Sequence, residues 1–409
     1  MEHDLSAEGI APPPDHATAA TWQRASLHLR GAYFGYFAAV GTFSPFAALY
    51  YRELDFSGFQ VGVLTALPAL GSAVFGPFLG ALADSRSLHR FILRLALVCA
   101  AILAFAMSGV TTFPLVFGIM VLLALATVPV PPLMDSYGMT IAEQTGRSYG
   151  GLRVWGSVGY MALTLILGRV MGSNVSAILL VAYGICLGLT ALASWGLPRL
   201  TDRHPQPLMA GLSDALHNRK LVLLLTVSYI LSSSAAVMYT FLGIHMKELG
   251  GSTTLIGVAF AVSAASELPI IAFGSTLIAR LGAVRLMTIG ITIYALRMIA
   301  LSLIQVPEWI VPLQLLHGLT YGAFLISSVT LAYRIGGRQH AATAQALLSA
   351  MSFGFGSITG ALIGGTMLDS VGTVAMFRAA AVMMTLALVI LIVGNRLIGL
   401  EPDPDPTTL

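Results

Sequence analysis

RELDFSGFQVGV, residues 52–63, is echoed by KELGGSTTLIGV, residues 247–258, with the same leading charges and a matching glycine near the end. Each stretch follows one long apolar segment and leads into another. Repeats of this kind, placed at the same point of two halves, are typical of membrane proteins whose ligand site lies between the halves. We therefore predict two equivalent halves of six helices each.

The composition is that of a membrane protein. Of the 409 residues, 56% are hydrophobic and 10% are charged, which is outside the usual range of soluble globular proteins. The apolar runs are continuous rather than alternating, so they predict helices and not a β-barrel. A helix needs about 20 apolar residues to cross the hydrocarbon layer. Such stretches are found at 27–52, 57–83, 90–110, 113–143, 149–172, 175–197, 220–248, 253–279, 284–305, 308–335, 340–368 and 372–398.

The predicted fold is therefore an all-α membrane protein, with twelve transmembrane helices in two pseudo-symmetric six-helix bundles. Loop Lys and Arg residues lie mostly on one side of the predicted membrane, which by the positive-inside rule makes both termini cytoplasmic. We expect a multi-pass protein of the cell inner membrane. The predicted organisation is a disordered N-terminus at 1–26, a first bundle at 27–197, a cytoplasmic loop at 198–219, a second bundle at 220–398 and a disordered tail at 399–409.

Several function classes are disfavoured by the sequence. The net charge of +3 is not concentrated in a basic cluster, so nucleic acid is not an expected partner. Cys99 and Cys186 lie inside predicted spans, where apolar packing is their expected role. Metal-ligand spacings, a nucleophile elbow and a phosphate-binding loop are not found, so neither an enzyme nor a metal or cofactor site is predicted. The expected partners are a small-molecule substrate and the lipid bilayer, with the chain acting as a monomer.

Three ionisable residues lie deep in the predicted spans of the second half. Glu267, within SAASELPIIAFG (263–274), would cost about 3 kcal/mol or more if left unpaired in hydrocarbon. Arg297 is as far from Gly282 as Glu267 is, so both lie roughly 22 Å along adjacent antiparallel helices. His317 falls near the same layer. Because intramembrane ionisable groups are functional by default, we predict proton coupling here, with a purely structural triad as the alternative.

The first half carries a second pair of opposite charges, Asp135 and Arg153. They are equidistant from Gln144, about 13 Å along two neighbouring helices, so they can meet across a hairpin. The alternative is a salt bridge at the membrane interface. Aromatic residues near these depths can stack on a substrate ring or simply pack in the core: Tyr36, Phe37, Trp155, Tyr160, Tyr239 and Tyr321.

A short polar turn, GALADSRSLHR, follows the second span. It resembles the major facilitator signature in Gly80, Leu82, Asp84, Arg86 and Arg90. A carboxylate at the end of a helix can pair with nearby basic residues and latch the two halves in one state. The alternative is a solvated turn that fixes only topology. The equivalent turn of the second half has Ala279 near the place of the aspartate, so any latch is one-sided.

Beyond this signature, nearly all twelve spans resemble the lactose permease family and, at several places more closely, the phenylpropionate permease family. FGYFAAVGTFSPF (34–46) is similar to the first helix of the lactose permease, and the spacing of Asp135 and Arg153 matches its sugar-binding pair. Tyr160 stands at the position of the stacking tryptophan of that family. The resemblance implies a major facilitator fold, with substrate contacts from Tyr36, Phe37, Asp135, Arg153 and Tyr160.

The second half resembles the same families at its charged residues. SELP, LRM and LHG match the glutamate, arginine and histidine of helices eight to ten, which implies proton-coupling roles for Glu267, Arg297 and His317. Thr320 is a departure, because the lactose permease family has there the glutamate that carries the proton. A hydroxyl group cannot replace that carboxyl group, so if transport is coupled to protons, Glu267 with His317, or Asp135, has to carry them.

The predicted function is that of a secondary active transporter that works by alternating access. The favoured reaction is proton-coupled symport of a small organic solute, without a cofactor other than the proton. The resemblance favours an aromatic carboxylate such as a phenylpropionate-like acid, bound through Arg153 or Arg297. The alternatives are a proton-coupled sugar or nucleoside symporter, a membrane enzyme or lipid flippase, and a sensor that binds without transport.

Overall fold

The protein is a bundle of long helices. A computed structural model describes residues 16–85, 88–172, 175–200 and 217–400. Short 3₁₀ or π-helical turns lie at Ser194–Gly196, Pro307–Trp309, Gly318–Gly322 and Ala350–Gly356. The α-helices of these ranges are α1 (His16–Phe43), α2 (Ala47–Glu53), α3 (Gly58–Ser85), α4 (His89–Ser108), α5 (Phe113–Thr127), α6 (Val130–Thr145), α7 (Tyr149–Met171), α8 (Ile178–Ala193), α9 (Arg219–Glu248), α10 (Thr253–Ala272), α11 (Gly274–Leu281), α12 (Ala283–Leu303), α13 (Ile310–Gln314), α14 (Ala323–Ser349) and α15 (Ser357–Ile398).

The helices of the described residues make twelve crossings, as the apolar runs predict. Eleven helical segments among the described residues are long and apolar enough to span a bilayer, and the longest of them is His340–Ile398. That segment is divided at Gly372, where φ is 76°, a backbone conformation that suits glycine because it has no Cβ. The two parts are the eleventh and twelfth crossings. Helices α1 and α2 together form one crossing, as do α5 and α6.

The first helix begins earlier than predicted. The polar, proline-rich composition predicts disorder over 1–26, but α1 begins at His16, so that prediction is wrong for 16–26. Ala25 and Ser26 are buried, and Trp22 packs against the core, so these turns gain contacts that composition alone does not reveal. The predictions for 1–15, for 201–216 of the central loop and for 401–409 of the tail concern residues outside the described ranges.

Within the described residues, the two halves are in close contact at the end of the bundle remote from the chain termini, called here the distal end. There α3 meets α15 at Gly58 and Gly365, and a Cβ on either glycine would collide with the carbonyl oxygen of the other. Helix α7 meets α10 in the same way, since a Cβ on Gly257 would lie 2.7 Å from the carbonyl oxygen of Thr164. Glycine is needed where backbones approach this closely. Backbone contacts between the halves thus seal the distal end.

An ion pair crosses the same seam. Nη1 of Arg52 lies 3.3 Å from Oδ1 of Asp369, and it donates to the carbonyl oxygen of Phe56 at 3.0 Å. Oδ2 of Asp369 accepts from the backbone N–H of Phe59 at 3.3 Å, in the first turn of α3. The helix dipole favours a carboxylate at this position. Asp369 therefore links its own half to α3 of the other half.

Candidate functional site

Three of the predicted charged residues, Arg153, Glu267 and His317, line two adjoining cavities between the halves. The larger, called the central cavity, has a volume of about 490 Å³, and the smaller, called the side cavity, about 220 Å³. A volume of several hundred Å³ suits a small organic ligand. Arg153 lines the side cavity. The residues that line both cavities are Phe37, Tyr160, Met238, Tyr239, Glu267 and His317.

A hydrogen-bonded chain connects Glu267 to Arg297 through His317. Oε1 of Glu267 lies 2.9 Å from Nε2 of His317, and Nδ1 of His317 lies 2.9 Å from Nη1 of Arg297. A guanidinium has only donors, so Nδ1 must accept, and Nε2 carries the imidazole proton that is donated to the carboxylate. The order is therefore carboxylate, neutral imidazole, guanidinium. Their equal distance from Gly282 predicts a shared layer for Glu267 and Arg297, but the two are joined through His317 and not directly.

Arg297 is a buried cation held mainly by neutral groups. It is 1% exposed, and within the described residues no carboxylate lies within 4.0 Å of it. Its Nη2 donates to Oε1 of Gln314, and its Nη1 lies 3.3 Å from Oγ1 of Thr320. Its Nε has no hydrogen-bond partner among the residues that the structure describes. A buried charge with this incomplete set of partners is sensitive to any change in the carboxylate beyond His317.

Local helix structure places His317 against α10. A π-helical turn, Gly318–Gly322, follows His317 directly, and such turns are frequent at functional sites. Oγ of Ser266, one residue before Glu267, accepts from the backbone N–H of Gly318 at 2.9 Å. The ring of Tyr321 stacks on the imidazole with a centroid distance of 5.5 Å and an interplanar angle of 5°. His317 is thus fixed between α10, the π-helical turn and the ring of Tyr321.

In the first half, Asp135 is held by two tyrosines more closely than by Arg153. Oδ1 of Asp135 accepts from the hydroxyl groups of Tyr33 and Tyr149, at 2.8 Å each. Nε of Arg153 lies 3.9 Å from the same oxygen. Among the described residues, Asp135 is the one polar partner of the Arg153 side chain. The guanidinium lies over Phe37 at 3.9 Å from the ring centroid, a cation–π contact. With 33% of its side chain exposed, Arg153 has N–H groups available to an anionic ligand.

The predicted aromatic contacts fall into two groups. Phe37 and Tyr160 line the central cavity, whereas the largely buried Tyr36 lines a different pocket. Successive residues of a helix point about 100° apart, so positions 36 and 37 face different ways. The substrate contact of Tyr36 stays a prediction, and Tyr36 lies in the wall of a different pocket from Phe37. Tyr239 and Tyr321 also line the central cavity.

The predicted latch lies largely outside the described part of the chain. Gly80 and Asp84 belong to α3, but the placement of their side chains is not described, and Arg86 lies outside the described residues. Arg90, in the first turn of α4, is partly buried. The latch stays a prediction.

Sequence reasoning missed the neutral polar residues that complete the two clusters. Gln314 and Ser263 belong to the Arg297 network, because Oε1 of Gln314 accepts from Oγ of Ser263 at 2.8 Å as well as from Arg297. Tyr33 and Tyr149 belong to the Asp135 cluster. These residues carry no charge, so the cost of burying a charge does not single them out. The one available signal was an amide, Gln314, within a mostly apolar span.

Known proteins similar to this chain are transporters. The profile of the family described as "MFS_1 like family" matches residues 26–379. A maltose permease of Geobacillus stearothermophilus is 29% identical over 369 residues, covering 89% of this chain and 93% of that protein. A protein of Escherichia coli (strain K12) named "Probable 3-phenylpropionic acid transporter" is 24% identical over 339 residues, covering 80% of this chain and 86% of the relative. The crystal structure of the nucleoside transporter NupG has the same fold, with a TM-score of 0.80 and 18% identity, over 91% of this chain and 99% of NupG.

Proposed function

Because the chain belongs to the MFS_1-like family of membrane transporters, we propose that it couples proton entry to the uptake of a small organic solute by alternating access. It is a multi-pass membrane transporter and not an enzyme, since the relatives that match most of its length are transporters. The observation that carries the proposed coupling is the chain of Glu267, His317 and Arg297 beside the cavity.

Glu267 is the group to which we assign the transported proton. Its side chain is 27% exposed, whereas Arg297 is almost fully buried. A proton on Nδ1 of His317 would face an N–H of Arg297, donor against donor, so the imidazole cannot take a second proton in this arrangement. Protonation of Glu267 would remove the negative charge that balances Arg297 through His317.

The electrostatic size of this step can be bounded. Charges separated by an imidazole ring interact by about 2 to 3 kcal/mol at an effective dielectric constant of about 20. A two-state equilibrium needs about 5.5 kcal/mol to move from 1:99 to 99:1. The proton alone therefore supplies about half of the bias, and the bound solute has to supply the rest. If neither the proton nor the solute alone shifts the equilibrium far enough, the two have to be transported together.

The favoured solute is an aromatic carboxylate. Within the described residues, Arg153 is the one Lys or Arg side chain that lines these two cavities. Rings of Phe37, Tyr160 and Tyr239 lie around the same space. A guanidinium and aromatic walls together suit an anion attached to a ring. Protonation of Glu267 leaves the site with one uncompensated positive charge, and the bound carboxylate would balance it. Entry of the anion together with one proton carries no net charge across the membrane.

The proposed orientation has both termini in the cytoplasm and the chain in the inner membrane. This is the arrangement that the excess of Lys and Arg in the loops on the terminal side favours. The sealed distal end would then face outward. The arrangement of the halves would accordingly be the inward-facing state of the transport cycle.

Uptake of 3-phenylpropionate into proteoliposomes tests the proposal. The wild-type protein should accumulate the acid when the external side is acidified. Glu267→Gln keeps the shape of the side chain but cannot release or take the proton, so it should lose accumulation and retain exchange of labelled for unlabelled acid. Glu308→Gln, at an exposed residue outside the cavities, is the matched control and should behave as wild type. Accumulation at the wild-type level by Glu267→Gln would show that this carboxyl group does not couple the proton.

A second candidate function is proton-coupled symport of a sugar or nucleoside. The similarity to a maltose permease favours it, and Asp135, with 46% of its side chain exposed, could accept hydrogen bonds from ligand hydroxyl groups. Counterflow of labelled 3-phenylpropionate in the presence of excess maltose or uridine separates the two classes, because a shared site would be blocked. A sensor would bind one of these solutes without exchanging it.

A further inference from the structure

A third pocket lies on the distal side of the central cavity and is called here the distal pocket. Its volume is about 220 Å³. Ala47, Ala48 and Tyr51 of α2 contribute to its wall, and α2 ends at the loop that borders the sealed distal end. The distal pocket adjoins the central cavity, since the wall residues common to both are Val40, Thr65, Tyr239 and Thr240.

The wall of the distal pocket is aromatic. Phe43 and Tyr183 stack with ring centroids 5.2 Å apart. The hydroxyl group of Thr65 donates to its own helix, at 2.9 Å from the carbonyl oxygen of Val61, so this group offers little to a polar ligand. The remaining rings are those of Tyr36, Tyr51 and Tyr239. Such a wall fits a planar apolar ring better than a sugar, whose many hydroxyl groups would need partners.

Tyr239 separates the distal pocket from the other two cavities and lines all three. Its hydroxyl group lies 3.1 Å from Oγ of Ser44 and 3.3 Å from the hydroxyl group of Tyr160, both in the other half of the chain. Its ring meets Phe260 edge to face at a centroid distance of 5.5 Å. The ring of Tyr239 thus stands between the distal pocket and the other two cavities, and two weak hydrogen bonds hold it there.

The pocket is within reach of Arg153. The Arg153 guanidinium lies 3.9 Å from the centroid of Phe37, and the rings of Phe37 and Tyr36 meet edge to face at 5.2 Å. Tyr36 is part of the pocket wall. Two packed rings, those of Phe37 and Tyr36, therefore separate the guanidinium from the pocket. A molecule in which a short chain joins a carboxylate to a ring can span that distance.

We propose that the distal pocket is a second subsite, which takes the ring of the transported aromatic carboxylate while the carboxylate group binds Arg153. The inference rests on the proposed function, and it defines the solute as an anion with a ring at its far end. A cavity of about 150 Å³ can hold benzene, so the volume of the distal pocket is sufficient for a substituted ring.

Filling the pocket tests the assignment. Ala124→Leu and Ala48→Leu each add a branched side chain at a buried wall position. Binding of 3-phenylpropionate to either variant should weaken about 10- to 100-fold, the value of burying an aromatic ring, while binding of propionate stays unchanged. Ala126→Leu, on the same helix but outside the wall, is the control and should leave both acids unaffected. Calorimetry on purified protein gives both dissociation constants.

A cysteine readout covers the case in which both filled variants fail to fold. In a Cys99→Ala, Cys186→Ala background, Ala48→Cys should react with N-ethylmaleimide more slowly in the presence of 3-phenylpropionate, but not of propionate. If wild-type protein transports 3-phenylpropionate and neither filling nor protection distinguishes the two acids, the subsite is refuted while the proposed function stands. If wild-type protein neither binds nor transports either acid, both proposals fall.

Discussion

Replacing Gln314 by leucine should destabilise the protein, because this amide holds the buried guanidinium of Arg297. Oε1 of Gln314 accepts from Nη2 of Arg297 and, at 2.8 Å, from Oγ of Ser263. Loss of a hydrogen bond to a charged group costs about 1.5 to 3 kcal/mol, and loss of a neutral one about 1 kcal/mol. Leucine also removes the buried Nε2 of Gln314, which has no hydrogen-bond partner in the described part of the chain, and removing this unsatisfied group offsets about 1 kcal/mol of the loss. The expected net loss is about 2 kcal/mol of unfolding free energy.

Denaturant titration of the purified protein in mixed micelles measures this free energy of unfolding. The matched control is Gln23→Leu, because Gln23 also accepts from an arginine, Nη2 of Arg147 at 2.8 Å, but on an exposed surface. Exposed polar pairs contribute little, so the control should change the free energy by less than about 0.5 kcal/mol. Equal losses in the two variants would refute the reasoning, because they would mean that burial of Arg297 does not increase the stabilising contribution of its hydrogen bond to Gln314.

Two further outcomes are expected. Tyr149→Phe removes one of the two hydroxyl groups on Asp135, which should then pair more closely with Arg153 and compete with an anionic solute. The Kd for 3-phenylpropionate should rise about three- to tenfold by calorimetry, and an unchanged Kd would contradict this account. Asp369→Asn weakens the link to Arg52 across the distal seam, and because these side chains are 38% and 42% exposed, the loss should be at most about 1 kcal/mol. The fraction open at the distal end should rise up to about fivefold in spin-label distance measurements; no change would mean that the pair does not hold the seam.

Most of the fold could be predicted because a bilayer imposes a fixed length on every apolar helix. The twelve crossings follow from that constraint, and so does the division at the polar segment near residue 200. The start of α1 did not follow, because Trp22, Ala25 and Ser26 gain their contacts from other helices and not from local sequence. Burial of a mixed polar segment is a tertiary effect that a hydropathy pattern does not contain.

The charged members of the site could be predicted, but not the order in which they touch. The cost of a charge in hydrocarbon singles out Glu267, Arg297 and His317 wherever they occur. Whether His317 stands between the other two depends on how each helix is rotated about its axis, which spacing along the chain does not fix. The same limit explains Tyr36, which shares the depth of Phe37 but faces the distal pocket.

The glycine contact of Gly58 and Gly365 has a consequence for how such a protein can diversify. These two residues meet through their main chains, so this part of the surface between the halves does not depend on which side chains the protein carries. Residues around the cavity can change during evolution without altering that surface. Related proteins can therefore acquire new substrates and keep the same conformational change. A single methyl group added at the contact would instead act as a wedge, propping the molecule open whatever it carries.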